Sequence, residues 1–599
     1  MKKILLSIAF ALMGIASGFA AKAYSGIITV TQSDGTELNV RIYGDEHFNW
    51  LTTEDGVLLV QEGNNYYIAE TTSYGTLKAT KFIAHNANKR VSAEIKAIKK
   101  QNHSRFRSYA IEQASTAKAM GTGNNGVKYF PHSGSPKALV ILVEFSDTTF
   151  RSGEKAKNVF EHFLKGKAED ALPDGYEAYT GSYKNKNLLR NKGSVSDYFY
   201  DMSKGTYTPQ FDVVGPYKLN HSSLYYGKGK KDNTDALVSD ACKAADKDVD
   251  FSRYDADGDG MVDLVYIIYA GYPASMSGNP NDIWPKSGPG DGGFGTYDGK
   301  QVCRYGVHAE LNFGWAMNQK NGFLLSGIGL FCHEFSHTLG LPDLYPTVDA
   351  SKVDNQNPEM WDLMDGGEYT FNGGYCPTPY SPWELDVMGW TSPVELGDEA
   401  KQVTLNSYYK ERTAYKINGE NDEYLLIQNI QKGGWWNGIA NVYNTGMLIW
   451  RIDYGTKDVN LFDNPNNNIS KPKVMIVPAD GYVISDYNHG DGKQWTDAQY
   501  KASLQGDPFP GATKKTELLS VELNNSTLKK PFYNIKEADG IITFDYLKDF
   551  ATGIDSPVIQ QNQEKDTRIF TLDGRYLGTD VSQLTKGVYI IGKKKVIIK

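Results

Sequence analysis

The residues His333-Glu334-Phe335-Ser336-His337-Thr338-Leu339-Gly340-Leu341-Pro342-Asp343 combine two imidazoles and two carboxylates at spacings that suit a metal ion. Residues four apart on an α-helix lie nearly above one another, so His333 and His337 can reach one ion. Glu334 sits one step round the helix, where its carboxylate can act on water at the ion without replacing it. Gly340 can take the left-handed conformation that ends a helix, and Pro342 prevents its resumption. Asp343 then comes back towards the metal as the expected third ligand, with Glu384 as the alternative. The chemistry expected of this set is zinc-dependent hydrolysis with Glu334 as general base.

A second constellation is Asp255-Ala256-Asp257-Gly258-Asp259-Gly260-Met261-Val262-Asp263. Carboxylates at alternate positions around a sharp Gly turn match the opening of an EF-hand-type calcium loop. The expected calcium ligands are Asp255, Asp257, Asp259, Asp263 and the Met261 carbonyl. Position twelve is Tyr266 and not Glu, so a bidentate ligand has to come from elsewhere. The role expected of the ion is structural, because four unneutralised carboxylates repel one another.

Downstream, Met360-Trp361-Asp362-Leu363-Met364-Asp365-Gly366-Gly367 places a methionine turn about twenty residues beyond Asp343. Such a turn floors the metal site in metzincin proteases. With it, His333 to Tyr345 and Ser381-Pro382-Trp383-Glu384-Leu385-Asp386-Val387-Met388-Gly389-Trp390 resemble the immune-inhibitor-A family of secreted metalloproteases, the M6 peptidases. Ser196-Asp197-Tyr198-Phe199-Tyr200 and Val214-Gly215-Pro216-Tyr217 extend the likeness upstream, so that it covers roughly 131–520. The resemblance implies a zinc endopeptidase acting on protein or peptide substrates, with a metzincin-like zincin domain. The chain departs from many relatives at Lys286, after Trp284-Pro285, and at Arg451, where they carry His. Tyr345, Tyr369 and Tyr375 are candidates for stabilising the developing oxyanion. The rival reading is a non-catalytic surface adhesin on a protease-like scaffold, and the intact Glu334 argues against it.

The elements that must hold these residues in place follow from patterning. The apolar run Lys137–Phe145 reads as a buried strand, as does Leu264–Tyr269. The motif helix is expected from Ser326, as hydroxyl cap, to Gly340. An α/β catalytic domain therefore occupies 131–394. Strand-and-loop patterning over 395–548 predicts a β-sandwich. Short alternating runs at 24–86 predict a small antiparallel β unit, followed by an exposed polar linker ending in Gly121-Thr122-Gly123-Asn124-Asn125-Gly126. Residues 24–130 together read as a propeptide of a zymogen, cleavable in that linker. A carboxylate in Tyr43-Gly44-Asp45-Glu46 could serve as its switch on the metal, or simply belong to a β-turn.

Lys2-Lys3, an apolar run from Ile4 to Ala16 and small residues at Gly18-Phe19-Ala20 and Ala21-Lys22-Ala23 predict a signal peptide over 1–23, hence a secreted or surface protein. The 599 residues require several domains, and the net charge of −8 without a clustered basic face points away from nucleic acid. Cys242, Cys303, Cys332 and Cys376 exclude a disulfide scaffold, although export permits one or two bridges. Residues 555–599, with Phe570-Thr571-Leu572-Asp573-Gly574-Arg575 and Gly587-Val588-Tyr589-Ile590-Ile591, resemble the type IX secretion sorting domains of Bacteroidetes, which implies export machinery as a partner. Oligomeric state is not legible.

Overall fold

The computed structural model describes residues 19–24, 26–45, 48–110, 128–179, 190–227, 233–279, 281–290, 293–312, 323–347, 358–455, 459, 463–468, 470–482, 496–550, 569–571, 576–578, 580–581, 584–591 and 594–598. The apolar run of the expected signal peptide, the linker end at 121–126 and residues 572–575 lie outside them. The architecture is multidomain, α/β followed by β.

A two-residue strand, β1 (Phe19–Ala20), precedes the N-terminal unit. That unit is a meander of β2 (Ile28–Thr31), β3 (Glu37–Gly44), β4 (Asn49–Thr53), β5 (Leu58–Glu62), β6 (Asn65–Thr71) and β7 (Leu77–Ile83), each antiparallel to the next. Alternation puts Ile28, Val30, Val40, Ile42, Leu59 and Ile68 into one cluster, which Ala274 and Trp284 of the following domain complete. Of the expected linker, residues 85–110 and 128 are described. Ser92–Ile98 is a helix, Phe106 and Ala110 are buried with Leu58 and Ala69, and the Gln101 amide donates to the carbonyls of both. Val91, Ile95 and Ile98 follow helical spacing, but Val91 and Ile95 are exposed and seven residues are too few for a helix stable on its own, so tertiary contacts supply the order.

The α/β region that carries the motif helix is built on β8 (Lys137–Glu144), β9 (Gln210–Lys218), β10 (Met261–Val262), β11 (Val265–Tyr269), β12 (Lys286–Pro289), β13 (Thr296–Tyr297), β14 (Lys300–Val302) and β15 (Arg304–Ala309). The main sheet has the order β1-β12-β15-β11-β8-β9. Strands β15, β11, β8 and β9 run parallel, β12 is antiparallel to β15, and β1 is antiparallel to β12. Both faces are covered, which explains why β8 and β11 are continuously apolar. Val140, Leu142, Tyr266 and Ile268 face the motif helix, while Leu139, Ile141, Val265 and Ile267 face the helix Thr234–Ala245.

From Val394 the chain forms a five-stranded sheet ending at Val474–Ile476 and a three-stranded sheet of Lys401–Leu405, Phe532–Ala538 and Ile541–Tyr546. Leu405, Ile417, Leu425, Ile449, Ile542 and Phe544 pack between them. Helices Asn437–Tyr443 and Asp497–Gly506 instead join the catalytic core through Ile439, Tyr443 and Leu504. A separate compact unit, Asp549–Lys599, contains a four-stranded sheet. All four cysteines are buried and free, so the permitted bridges are not formed. Among the described residues no helix is long and apolar enough to cross a membrane.

Candidate metal centre and cleft

The motif helix runs Ile328–Thr338 and is buried on every side. Its sheet-facing residues repeat at three- and four-residue intervals: Ile328, Phe331, Phe335 and Leu339. Phe331 stacks on Tyr266 of β11 with centroids 4.1 Å apart, and Phe335 packs on Phe199 at 5.0 Å. Ser326 is not the cap. Gly327 takes that position, and the Ile328 N–H is met by the Asn191 side-chain oxygen at 3.0 Å. A donor-satisfying group from a distant loop leaves no local signature in the sequence.

At the other end Gly340 has φ +105°, and a Cβ there would meet the Tyr129 ring at 3.1 Å. The turn brings Asp343 back over the helix. His333 Nε2 and His337 Nε2 lie 3.2 Å apart, and Asp343 Oδ1 is 3.3 Å and 3.2 Å from them. A tetrahedral zinc with bonds of about 2.0 Å needs ligand atoms about 3.3 Å apart, so this buried triangle fits the ion. The imidazoles are aimed by their outer nitrogens: His333 Nδ1 donates to the Leu363 carbonyl at 2.8 Å, and His337 Nδ1 to that of Leu341 at 2.7 Å. Leu363 belongs to the methionine turn, and the Leu344 N–H donates to the Met364 carbonyl, tying the turn to the Asp343 loop.

Glu384, the alternative ligand, is used elsewhere. It caps its own helix, Pro382–Val387, accepting from the Ser381 N–H at 2.7 Å, and it lies beside Asp362. Burial, with Asp362 beside it, pushes the Glu384 carboxyl well up, and burial lifts Asp362 to about 7. Each carboxyl therefore opposes ionisation of the other. Glu368, which sequence reading missed, lies 3.7 Å from His333 Nδ1, and burial keeps it far above the ordinary carboxylate range.

Residues 19–24 run extended through the cleft beside these groups. Phe19 and Ala20 pair with Ser287 and Lys286 of β12. The Ala21 N–H donates to Glu334 Oε1 at 2.7 Å, and Trp284 Nε1 donates to the Ala21 carbonyl at 2.9 Å. The Tyr369 hydroxyl donates to the Lys22 carbonyl at 2.8 Å. Of the other candidate tyrosines, Tyr375 donates to the Leu325 carbonyl and Tyr345 is buried. Asp45 sits in the β3–β4 turn, accepting from the Phe48 N–H. It follows the β-turn reading.

The helix, the three-donor triangle, the base and the methionine turn are the features of a metallopeptidase. Residues 128–390 match the catalytic domain of immune inhibitor A, peptidase M6. Over 308 residues the chain is 27% identical to immune inhibitor A of Bacillus thuringiensis subsp. alesti, covering 44% of this chain and 42% of that protein. It is 24% identical over 282 residues to the pre-pro-metalloprotease PrtV of Vibrio cholerae serotype O1 (strain M66-2), covering 42% of this chain and 29% of PrtV. The chain thus spans less than half the length of these relatives. The matches support a metalloprotease.

The acidic loop also lies inside the M6-like segment. Carboxylate oxygens of Asp255, Asp257 and Asp263 come within 4.8 Å of one another. Asp259 turns to the Met261 N–H at 2.9 Å, and Met261 opens β10. Lys300 Nζ lies 2.6 Å from Asp255, and Lys128 Nζ 2.6 Å from Asp257. Burial and the neighbouring aspartates push Asp263 up to about 6, although the Ala256 N–H opposes the shift. Tyr266, at the twelfth position, faces the core against Phe331.

Proposed function

We propose that this chain is a secreted zinc endopeptidase of metzincin type, hydrolysing peptide bonds in extracellular proteins. The observation that carries the reading is Glu334 in hydrogen-bond contact with the backbone nitrogen of an extended peptide, beside the His333–His337–Asp343 triangle. Those three residues would hold the ion, which when bound supplies Lewis-acid polarisation of the scissile carbonyl and lowers the pKa of water. Glu334 accepts the proton as water attacks that carbonyl, then passes it to the leaving nitrogen, where the Ala21 N–H now lies. Trp284 and Tyr369 bind carbonyls of the peptide on the leaving side, so Tyr369 acts in substrate binding and not on the oxyanion.

Around this centre, 1–23 serves as export signal and 24–130 as propeptide, a role supported by the packing of the N-terminal unit against Trp284. Residues 395–548 form the accessory β-sandwich, and 555–599 act as a sorting tail recognised by the export machinery. Calcium would displace Lys300 and Lys128 and take Asp255, Asp257, Asp259, Asp263 and the Met261 carbonyl as ligands. The decisive assay compares wild type with Glu334→Gln on casein, with and without a chelator. Loss of base catalysis should lower the rate about 10²- to 10⁴-fold while zinc content stays near one per chain. Equal cleavage by the two proteins would overturn the mechanism.

A further inference from the structure

The peptide in the cleft carries a side chain as well as a backbone, and that side chain has a built receptor. Lys22 Nζ lies 3.1 Å from Asp365 Oδ1 and 3.4 Å from Glu359 Oε2, with all three side chains no more than 2% exposed. The receptor is held in shape by its own contacts: the Glu359 N–H donates to Asp365 Oδ2 at 2.8 Å, and the Tyr500 hydroxyl to Glu359 Oε2 at 2.8 Å. Glu359 adopts φ +57°, a conformation that a non-glycine side chain takes only when its surroundings impose it. Two carboxylates buried this closely are strongly unfavourable unless a cation sits between them. Lys22 is that cation here.

The register relative to the reacting atoms is also defined. If Glu334 serves the leaving nitrogen, the nitrogen of Ala21 marks the first residue beyond the scissile bond and Lys22 the second. Upstream, the Phe19 and Ala20 positions pair antiparallel with β12, as an added substrate strand would. Downstream, the cleft opens past Tyr24 into a cavity of ≈ 620 Å³ lined by Met360, Tyr369, Tyr443 and Tyr500, giving room for more chain.

We infer that Glu359 and Asp365 form a specificity pocket selecting Lys or Arg at the second residue after the cleaved bond, with Lys22 occupying the place of the substrate side chain. The inference rests on the peptidase reading and adds the substrate class. Its test uses the zinc-loaded protein, secreted and processed in the linker, on a proteome-derived peptide library and on two matched peptides carrying Lys or norleucine at that position. Cleavages should be enriched in Lys and Arg there, and kcat/KM for the Lys peptide should exceed the norleucine value at least about tenfold. In Glu359→Gln/Asp365→Asn that ratio should collapse towards one. A wild-type ratio near one overturns the pocket, and it does so without relying on how the variant folds. If base-dependent cleavage persists with no basic preference, the pocket alone falls. If wild type and Glu334→Gln behave alike, both the peptidase reading and the pocket fall.

Discussion

At the scale of single residues, the division of labour among buried carboxylates decides what the centre can do. Asp343 points at two imidazoles, Glu334 at a peptide nitrogen, and Glu384 at Ser381. Zinc analysis should separate the two third-ligand readings. Asp343→Ala should bind less than one zinc per chain, whereas Glu384→Gln should keep the ion and lose thermal stability through its cap. Much of this was legible in advance, because His333, Glu334, His337 and Asp343 interact through helical spacing and one tight turn. Lys22, Glu359, Asp365 and Trp284 were not. Lys22 meets Glu359 and Asp365 across 337 and 343 residues of chain, and nothing in a neighbourhood such as Asn-Pro-Glu-Met announces a cation receptor.

At the scale of elements, the motif helix is held less by its own propensity than by the rings beneath it. Phe331 touches Tyr266, Phe211, Phe163 and Phe335, so Phe331→Ala should cost about 3–5 kcal/mol, read from denaturant or thermal unfolding. The apolar runs of β8 and β11 were readable because both faces are buried. The helix around Ser92–Ile98 was not, for its order comes from Gln101 and Phe106 docking on the meander. A second element-scale effect sits where β15 ends. Glu310 accepts from the Tyr179 hydroxyl and from the N–H groups of Arg151 and Gly271, linking three loops. Burial outweighs those bonds and raises its carboxyl to about 7. A folded-state value above the unfolded one gives stability that is full below about pH 4.5 and declines as pH rises through about 7, by about 3 kcal/mol in all. Melts of Glu310→Gln between pH 4.5 and 7.5 should lose that part of the slope.

For the whole molecule, the meander, the α/β core and the two-sheet region form one compact unit, with Asp549–Lys599 as another. Its thermal stability should respond to calcium, since the acidic loop leads through β10 straight into the central strand β11. Calcium at a hundred times its dissociation constant should add about 2.7 kcal/mol, seen as a raised Tm that EGTA reverses. An unchanged Tm would argue that Lys128 and Lys300 already neutralise the loop.

The covering of β12 by β1 carries a further consequence. Once the 19–24 segment leaves, β12 presents a row of backbone donors and acceptors that only an extended chain can meet. A helix in a target protein offers none of these groups, because its own ladder uses them. On the proposed peptidase reading, attack on a folded protein would wait for a stretch to fray into strand form, so cutting would be paced by how often the target opens. Selection would then fall on the target's local stability before its side chains.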